Sequence, residues 1–173
     1  WQCSLAYRWL HSDRHFRGGR EEANRQAAGS EVINDVHTFD LTATYAVNAR
    51  LSLGLTVPIM QADRSSKYEH LGNTPATNPR FSTQASGFGD VRLVGMTWLF
   101  DPAKHPNGNF AMGAGLKFPT GEYKATDVFE RTVGPRTRFV DSSIQPGDGG
   151  LGVLFEAQAF QKLFKNTFAY LNA

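Results

Sequence analysis

Apolar residues recur at every second position in segment after segment, and the connections between these segments alternate strictly between long and short. Residues 1–10 set the pattern, with Trp1, Cys3, Leu5, Tyr7 and Trp9 apolar and Gln2, Ser4, Ala6 and Arg8 between them. A period of two belongs to a strand with two unlike faces. Residues 38–47 repeat it, with Phe39, Leu41, Ala43, Tyr45 and Val47 set against Thr38, Asp40, Thr42 and Thr44. A short turn at 48–50 leads to Leu51, Leu53, Leu55 and Val57, which alternate with Ser52, Gly54 and Thr56 and complete a hairpin. A fourth strand is predicted over 90–100, although Val94, Met96 and Trp98 fall on its otherwise polar face. A fifth carries Phe110, Met112, Ala114, Leu116 and Phe118. A sixth carries Leu151, Val153, Phe155, Ala157 and Ala159, and a seventh opens at Thr167. No segment holds a 3.6-residue period; residues 20–28 predict a turn or two of helix within a loop.

The long connections are 11–37, 59–89 and 119–149; the short ones are 48–50, 101–108 and 161–166. This alternation puts every second strand end on the same side. Structureless connections of about 30 residues are uncommon in compact soluble domains. They are ordinary on the outer side of bacterial outer-membrane barrels. The expected fold is therefore all-β: an antiparallel up-and-down transmembrane β-barrel. Residues 1–173 form a single partial β-barrel domain of seven strands, with long external loops at about 11–37, 59–89 and 119–149. The chain starts at Trp1 without a leader, and both ends fall inside strand-like text. An odd strand count leaves edges that a bilayer does not tolerate, so the chain reads as a fragment of a larger barrel.

Charge placement agrees. Of 34 charged residues (18 basic plus 16 acidic), most lie in the long connections. The strand-borne charges are Arg8, Asp40, Asp90, Arg92, Lys117 and Glu156, all on the polar register. A lipid-facing charge at mid-membrane costs ~2–4 kcal/mol. In a barrel these six residues line the pore. Counted from the short turns, Asp40, Asp90, Arg92 and Lys117 reach similar heights, which predicts a mixed-charge band in the external half of the lumen. The same residues could instead brace the wall as a ladder of ion pairs, each worth only ~0–1 kcal/mol when exposed.

The competing fold is a soluble β-barrel or β-sandwich binding domain with its apolar face inward. Such a domain carries abundant Lys, Glu and Arg on its wet face, whereas here that face is mostly Gly, Ala, Ser and Thr. A dry centre built from Leu51, Leu53, Leu55 and Val57 would identify the soluble form. A net charge of +2 is too balanced for a nucleic-acid footprint. The single cysteine, Cys3, rules out a disulfide scaffold and a Cys-rich metal site. The longest strongly apolar stretch, 93–100, is far short of the ~18 residues of a membrane helix.

One small unit repeats. Gly54-Leu-Thr-Val-Pro58 ends the third strand and Gly115-Leu-Lys-Phe-Pro119 ends the fifth. Proline stops ladder pairing because it lacks an N–H. The segments GFGDVRLVGMTWLF (87–100), GLKFPTGEYKATD (115–127) and DSSIQPGDGGLGVLFEAQAF (141–160) together resemble the outer-membrane proteins named for the meta pathway of phenol degradation. The matching elements are Gly89-Asp90, Pro119-Thr120-Gly121 and Gln145-Pro146-Gly147, in the family's order, and the resemblance covers about 36–173. It implies a barrel in the outer membrane of a Gram-negative bacterium that passes small, aromatic or hydrophobic compounds. Its partners would be lipid and solute, and no catalytic residues come with it.

Other chemistry is weakly signalled. Gly147 to Gly152 spells a dinucleotide fingerprint by letter, but a loop precedes it and a strand follows, so flexible rim glycines account for it. His11 and His15 lie four apart without an HExxH context, which reads as a solvated loop; His37, His70 and His105 are scattered. There is no GxSxG elbow, and Cys3 has no partner histidine near it in sequence. An outer-membrane enzyme would need loop carboxylates such as Glu21 and Glu22, joined by residues outside this stretch. No metal, cofactor or catalytic activity is expected. Trp9, Tyr45, Phe110, Phe118, Phe164 and Phe168 lie near strand ends, where interfacial girdles belong. Ordinary aromatic enrichment in strands explains the same residues.

Overall fold

The computed structural model describes residues 1–67, 69–70 and 79–173. In chain order its elements begin with β1 (Gln2–Ser12), β2 (Phe16–Arg17), β3 (Arg20–Glu21), α1 (Asn24–Ala27), β4 (Ile33–Ala46) and β5 (Leu51–Ser66). They continue with β6 (Phe81–Phe88), β7 (Arg92–Trp98), β8 (Gly108–Lys117), β9 (Thr126–Phe129) and β10 (Arg136–Phe139). A 3-10 turn (Ser142–Ile144), β11 (Gly152–Phe164) and β12 (Thr167–Asn172) complete the chain. Strands β1, β4, β5, β7, β8, β11 and β12 pair in that order as an antiparallel meander, and β6 adds to β5 beside β7. The protein is all-β, and this sheet curls into a half-barrel.

Among the described residues the sheet holds eight strands against the seven that the alternation predicts. The cause is β5, whose 16 residues take two partners along one edge. Its first half pairs with β7, Leu55 opposite Leu93. Its second half pairs with β6, Ile59 opposite Phe88 and Ser66 opposite Phe81. Strands β6 and β7 are thus one strand interrupted at 89–91. Residues 81–88 escape the period-two reading because their outward positions Ser82, Gln84 and Ser86 are polar, leaving Phe88 as the apolar one. Two of the long connections shrink accordingly. Strand β1 runs on to Ser12 and β4 starts at Ile33, so the first is 13–32 and not 11–37. The second is 67–80 and not 59–89. The third, 119–149, is not structureless: it contains the β9–β10 hairpin and the 3-10 turn.

The two registers face opposite ways. The apolar one lies on the convex side, where Leu53 and Leu55 are 42% and 43% exposed and Leu5, Leu41, Leu93, Met112 and Val153 are exposed with them. Leu51 and Val57 are half-buried, and no dry centre forms from these four residues. The polar register lines a concave cavity of about 630 Å³, with Ser4, Thr42, Thr44, Ser52, Thr56 and Glu156 on its wall. Val94, Met96 and Trp98, which break the alternation, line it too. The buried apolar cluster sits at one end of the concave face. There Val36, Ala62 and Ala85 of β4, β5 and β6 meet Val140 and Ile144 of the third connection.

Curling crowds the concave side, which is why its residues are small. A Cβ on Gly115 would lie 2.7 Å from Val94 Cγ2 and against the Leu93 carbonyl oxygen, whereas one on Gly54 would meet nothing closer than 3.9 Å. Overpacking of this kind costs about 1–3 kcal/mol. We therefore predict that Gly115→Val lowers the unfolding midpoint of the full-length protein by that equivalent, while Gly54→Ala leaves it unchanged. Urea titration followed by circular dichroism measures both.

Candidate functional site

The charges on the concave wall form a belt. Asp40 of β4 is 8% exposed and takes two guanidinium groups. Arg8 of β1 donates from Nη2 at 3.0 Å and Nε at 3.1 Å. Arg92 of β7 donates from Nη2 at 3.0 Å, reaching across β5 to do so. Only a concave face lets side chains on second-neighbour strands meet in this way. Arg92 sits directly opposite Lys117 of β8 in the ladder. Lys117 in turn bonds Asp90 at 3.0 Å and Asp148 of the third connection. The structure thus gathers Arg8, Asp40, Asp90, Arg92 and Lys117 into adjacent rows of the wall. Glu156 stands apart: it pairs with Gly113 in the ladder, nearer the short turns, and lines the open cavity.

Asp90 does more than pair with Lys117. It occupies the break between β6 and β7 and is 9% exposed. Its Oδ1 accepts the Gly121 N–H at 2.9 Å, and its Oδ2 accepts the Asp148 N–H at 3.2 Å. Thr120 Oγ1 accepts the Val91 N–H at 2.9 Å and donates to the Gly89 carbonyl at 3.3 Å. Gly89 donates its N–H to the Pro58 carbonyl at 2.9 Å. A Cβ on Gly121 would lie 2.8 Å from Gly147 Cα and 2.9 Å from Asp90 N, so only glycine allows these backbones to cross. The Pro146 carbonyl packs on Gly89 in the same place, and Pro119 lies two residues past the end of β8. The three short motifs Gly89-Asp90, Pro119-Thr120-Gly121 and Gln145-Pro146-Gly147 therefore meet at one point, as a knot that ties both ends of the third connection to the wall.

Gln145 extends the knot along the connection. Its Oε1 accepts the Ala125 N–H at 2.9 Å, and its Nε2 donates to the carbonyls of Ala125 and Val140 at 3.2 and 3.0 Å. The connection is held folded in, with Ile144 fully buried against β4 and β5. Further ties run from Arg64 to Ser143 at 3.3 Å and from the Gln84 N–H to Asp127 at 2.7 Å. The hydrogen bond from Lys117 holds the Asp148 carboxyl below the usual carboxylate range. That tie is present at neutral pH and is lost as the pH falls through the lowered value.

On the convex side the apolar band ends in a row of aromatic residues with polar tips. Tyr7 stands beside Phe39 in the ladder, and its hydroxyl reaches one row further, to His37 Nδ1 at 2.8 Å. Trp9 stands beside His37, and its indole N–H reaches Asp35 at 3.3 Å. Both tips point away from the apolar band. His11 shares Asp35 with Trp9, at 2.8 Å, whereas His15 accepts the Val32 N–H at 3.1 Å. The two histidines therefore go to different partners, and among the described residues no cluster suited to a metal forms.

Sequence reading passes over several residues that matter here. Asp148 sits among glycines that read as flexible rim. Ile144 is an isolated apolar residue in a polar stretch, Val140 follows only Phe139, and His70 has no motif around it. Only the unusual presence of Ile144 between polar neighbours could have signalled a docked connection.

Taken together, the fold and wall define an all-β protein built on one curled antiparallel sheet, with an apolar convex face and a concave face that carries a polar cavity at one end and the docked third connection at the other. The chain belongs to the family described as "Putative MetA-pathway of phenol degradation", whose sequence profile matches residues 23–140. That match contains the first two meeting motifs and stops just before the third. No curated protein matches the chain.

Removing the Asp90 carboxylate leaves Lys117 with Asp148 alone and takes the acceptor from the buried Gly121 N–H and the part-buried Asp148 N–H. Losses of about 1–3 kcal/mol follow from such deletions. Asp90→Ala should therefore unfold at clearly lower denaturant and be cleaved faster within 119–149. Glu156→Gln, on the open cavity wall, should stay within about 0.5 kcal/mol of the parent. Urea titration and limited proteolysis of the full-length protein measure the two effects.

Proposed function

We propose that this chain is part of an outer-membrane β-barrel through which small aromatic or hydrophobic compounds diffuse. The observation that carries this reading is the orientation of the two registers: greasy outward, small and polar inward. A soluble β-domain has the opposite need. The dimensions support it. From Leu51 to Ile59 the outward apolar run of β5 extends roughly 27 Å at about 3.4 Å per residue. A strand tilt of about 35–45° brings that to roughly 20 Å, close to the ~25 Å apolar band of outer-membrane barrels. The upturned tips of Tyr7 and Trp9 suit the boundary between hydrocarbon and headgroups. The family's description, which refers to phenol degradation, favours aromatic solutes. The partners are then lipid outside and solute inside, the activity is passage without catalysis, and the location is the outer membrane of a Gram-negative cell.

Two experiments test this. Full-length protein produced in a Gram-negative host should sediment with outer membranes and need detergent for extraction. Reconstituted into liposomes, it should admit small neutral aromatic compounds faster than disaccharides of larger cross-section. Recovery as a soluble protein without detergent would overturn the reading in favour of a ligand-binding β-domain. For the belt, Arg92→Ala leaves Asp40 with Arg8 alone, and single-channel selectivity should move towards cations. Unchanged conductance and selectivity in both Arg92→Ala and Lys117→Ala would assign the belt to bracing the wall.

A further inference from the structure

His70 lies in the connection between β5 and β6 and is 1% exposed. Its ring is sandwiched between Phe81 of β6, at 5.1 Å, and Phe129 of β9, at 5.0 Å. It is therefore the surface on which the β9–β10 hairpin of the third connection rests. Its Nδ1 accepts the Glu130 N–H of that hairpin at 3.1 Å. An imidazole that accepts at Nδ1 and is neutral carries its proton on Nε2. That Nε2 is buried and has no hydrogen-bond partner among the described residues. The site fits one uncharged tautomer and offers nothing to a second proton. We propose that His70 is an acid-sensitive latch: neutral, it holds the β9–β10 hairpin down beside the wall, and protonated, it releases it.

The charges around the ring are mixed. Glu69 adjoins it in the same connection, and its carboxylate is occupied by Arg64 at 2.6 Å. Asp127, Glu130 and Arg131 face it from the hairpin, and Arg138 covers the far side of Phe129 at 5.8 Å. Burial pushes the His70 pKa below its ordinary value, and Arg131 acts in the same direction. Glu69, Glu130 and Asp127 oppose them without reversing the shift. A proton on Nδ1 would also set N–H against N–H at Glu130. The sign follows. The docked hairpin binds the proton less well than the released one, so docking is strongest above the free value of about 6.5 and weakens as the pH falls below it. The Asp90 knot and the buried Ile144 lie outside the sandwich, so the release is of 126–139 and not of the whole connection.

Any effect on solute passage rests on the channel reading above, whereas the latch itself does not. Hydrogen exchange of residues 126–139 in the full-length protein, corrected for intrinsic rates, tests it at pH 7.5 and pH 5.0. Wild type should exchange about tenfold faster at the lower pH. His70→Phe keeps the stacking, His70→Gln keeps an acceptor for the Glu130 N–H, and neither can charge. Both should lose the acceleration. Acceleration retained in either folded variant, or absent from wild type, would overturn the latch. Single-channel recording on the same samples separates the two claims. If exchange behaves as expected but no conductance is seen at either pH, the channel reading falls and the latch stands.

Discussion

Asp90 sits where β6 stops and β7 begins, and its two carboxylate oxygens serve Gly121, Asp148 and Lys117 at once. A buried carboxylate with this many donors is held by geometry as much as by charge. Three consequences follow from that position. The strand opposite β5 can break without losing its place. The two ends of a thirty-residue connection are brought together over the wall. The ammonium of Lys117 is aimed along the inner face and not away from it. The glycines at 89, 121 and 147 are required because three backbones cross within van der Waals contact of one another.

Much of this was legible in the order of residues. Period two across residues 1–10, 38–57 and 109–118 marks out strands whose apolar side is exposed in the folded chain. The positions of Arg8, Asp40, Arg92 and Lys117 on the other register follow from parity alone. What was not legible depends on size and distance. Ser82, Gln84 and Ser86 give β6 a polar outward face, so the alternation that marks the other strands is missing from it. The upper halves of β4 and β5 carry Asp35, Asp63 and Arg64, whose charge disguises extended strand as loop. The meeting of three motifs separated by roughly thirty residues each has no local signature, because Asp90 holds Gly121 and Asp148 by their backbone N–H groups.

The belt shows how a polar wall can carry charge without exposing much of it. Asp40 and Asp90 are the buried members, and the cations project further: the Arg8 side chain is 63% exposed and that of Arg92 33%. The anions are therefore set into the sheet while the cations face the cavity. Asp40 has two guanidinium partners, so losing one does not leave it bare, whereas Asp90 has Lys117 and two backbone N–H groups. Below the belt the wall changes character, with the Thr42 and Thr56 hydroxyls bonded to each other at 2.9 Å and Glu156 left facing open space.

The interrupted strand also dictates an order of assembly. Pairing of β4, β5 and β7 needs only residues up to Trp98. The partners of Asp90 come from Gly121 and Asp148, much later in the chain. Until they arrive the carboxylate stays hydrated, and the junction between β6 and β7 has no reason to be dry. Dehydration of that junction is thus a late event, reached after β8 has paired and the chain has returned towards β11. Contacts of long sequence separation form slowly because loop closure precedes their reward. A chain stalled before Asp148 would hold its lower sheet together while its upper edge remained wet and open to wrong partners.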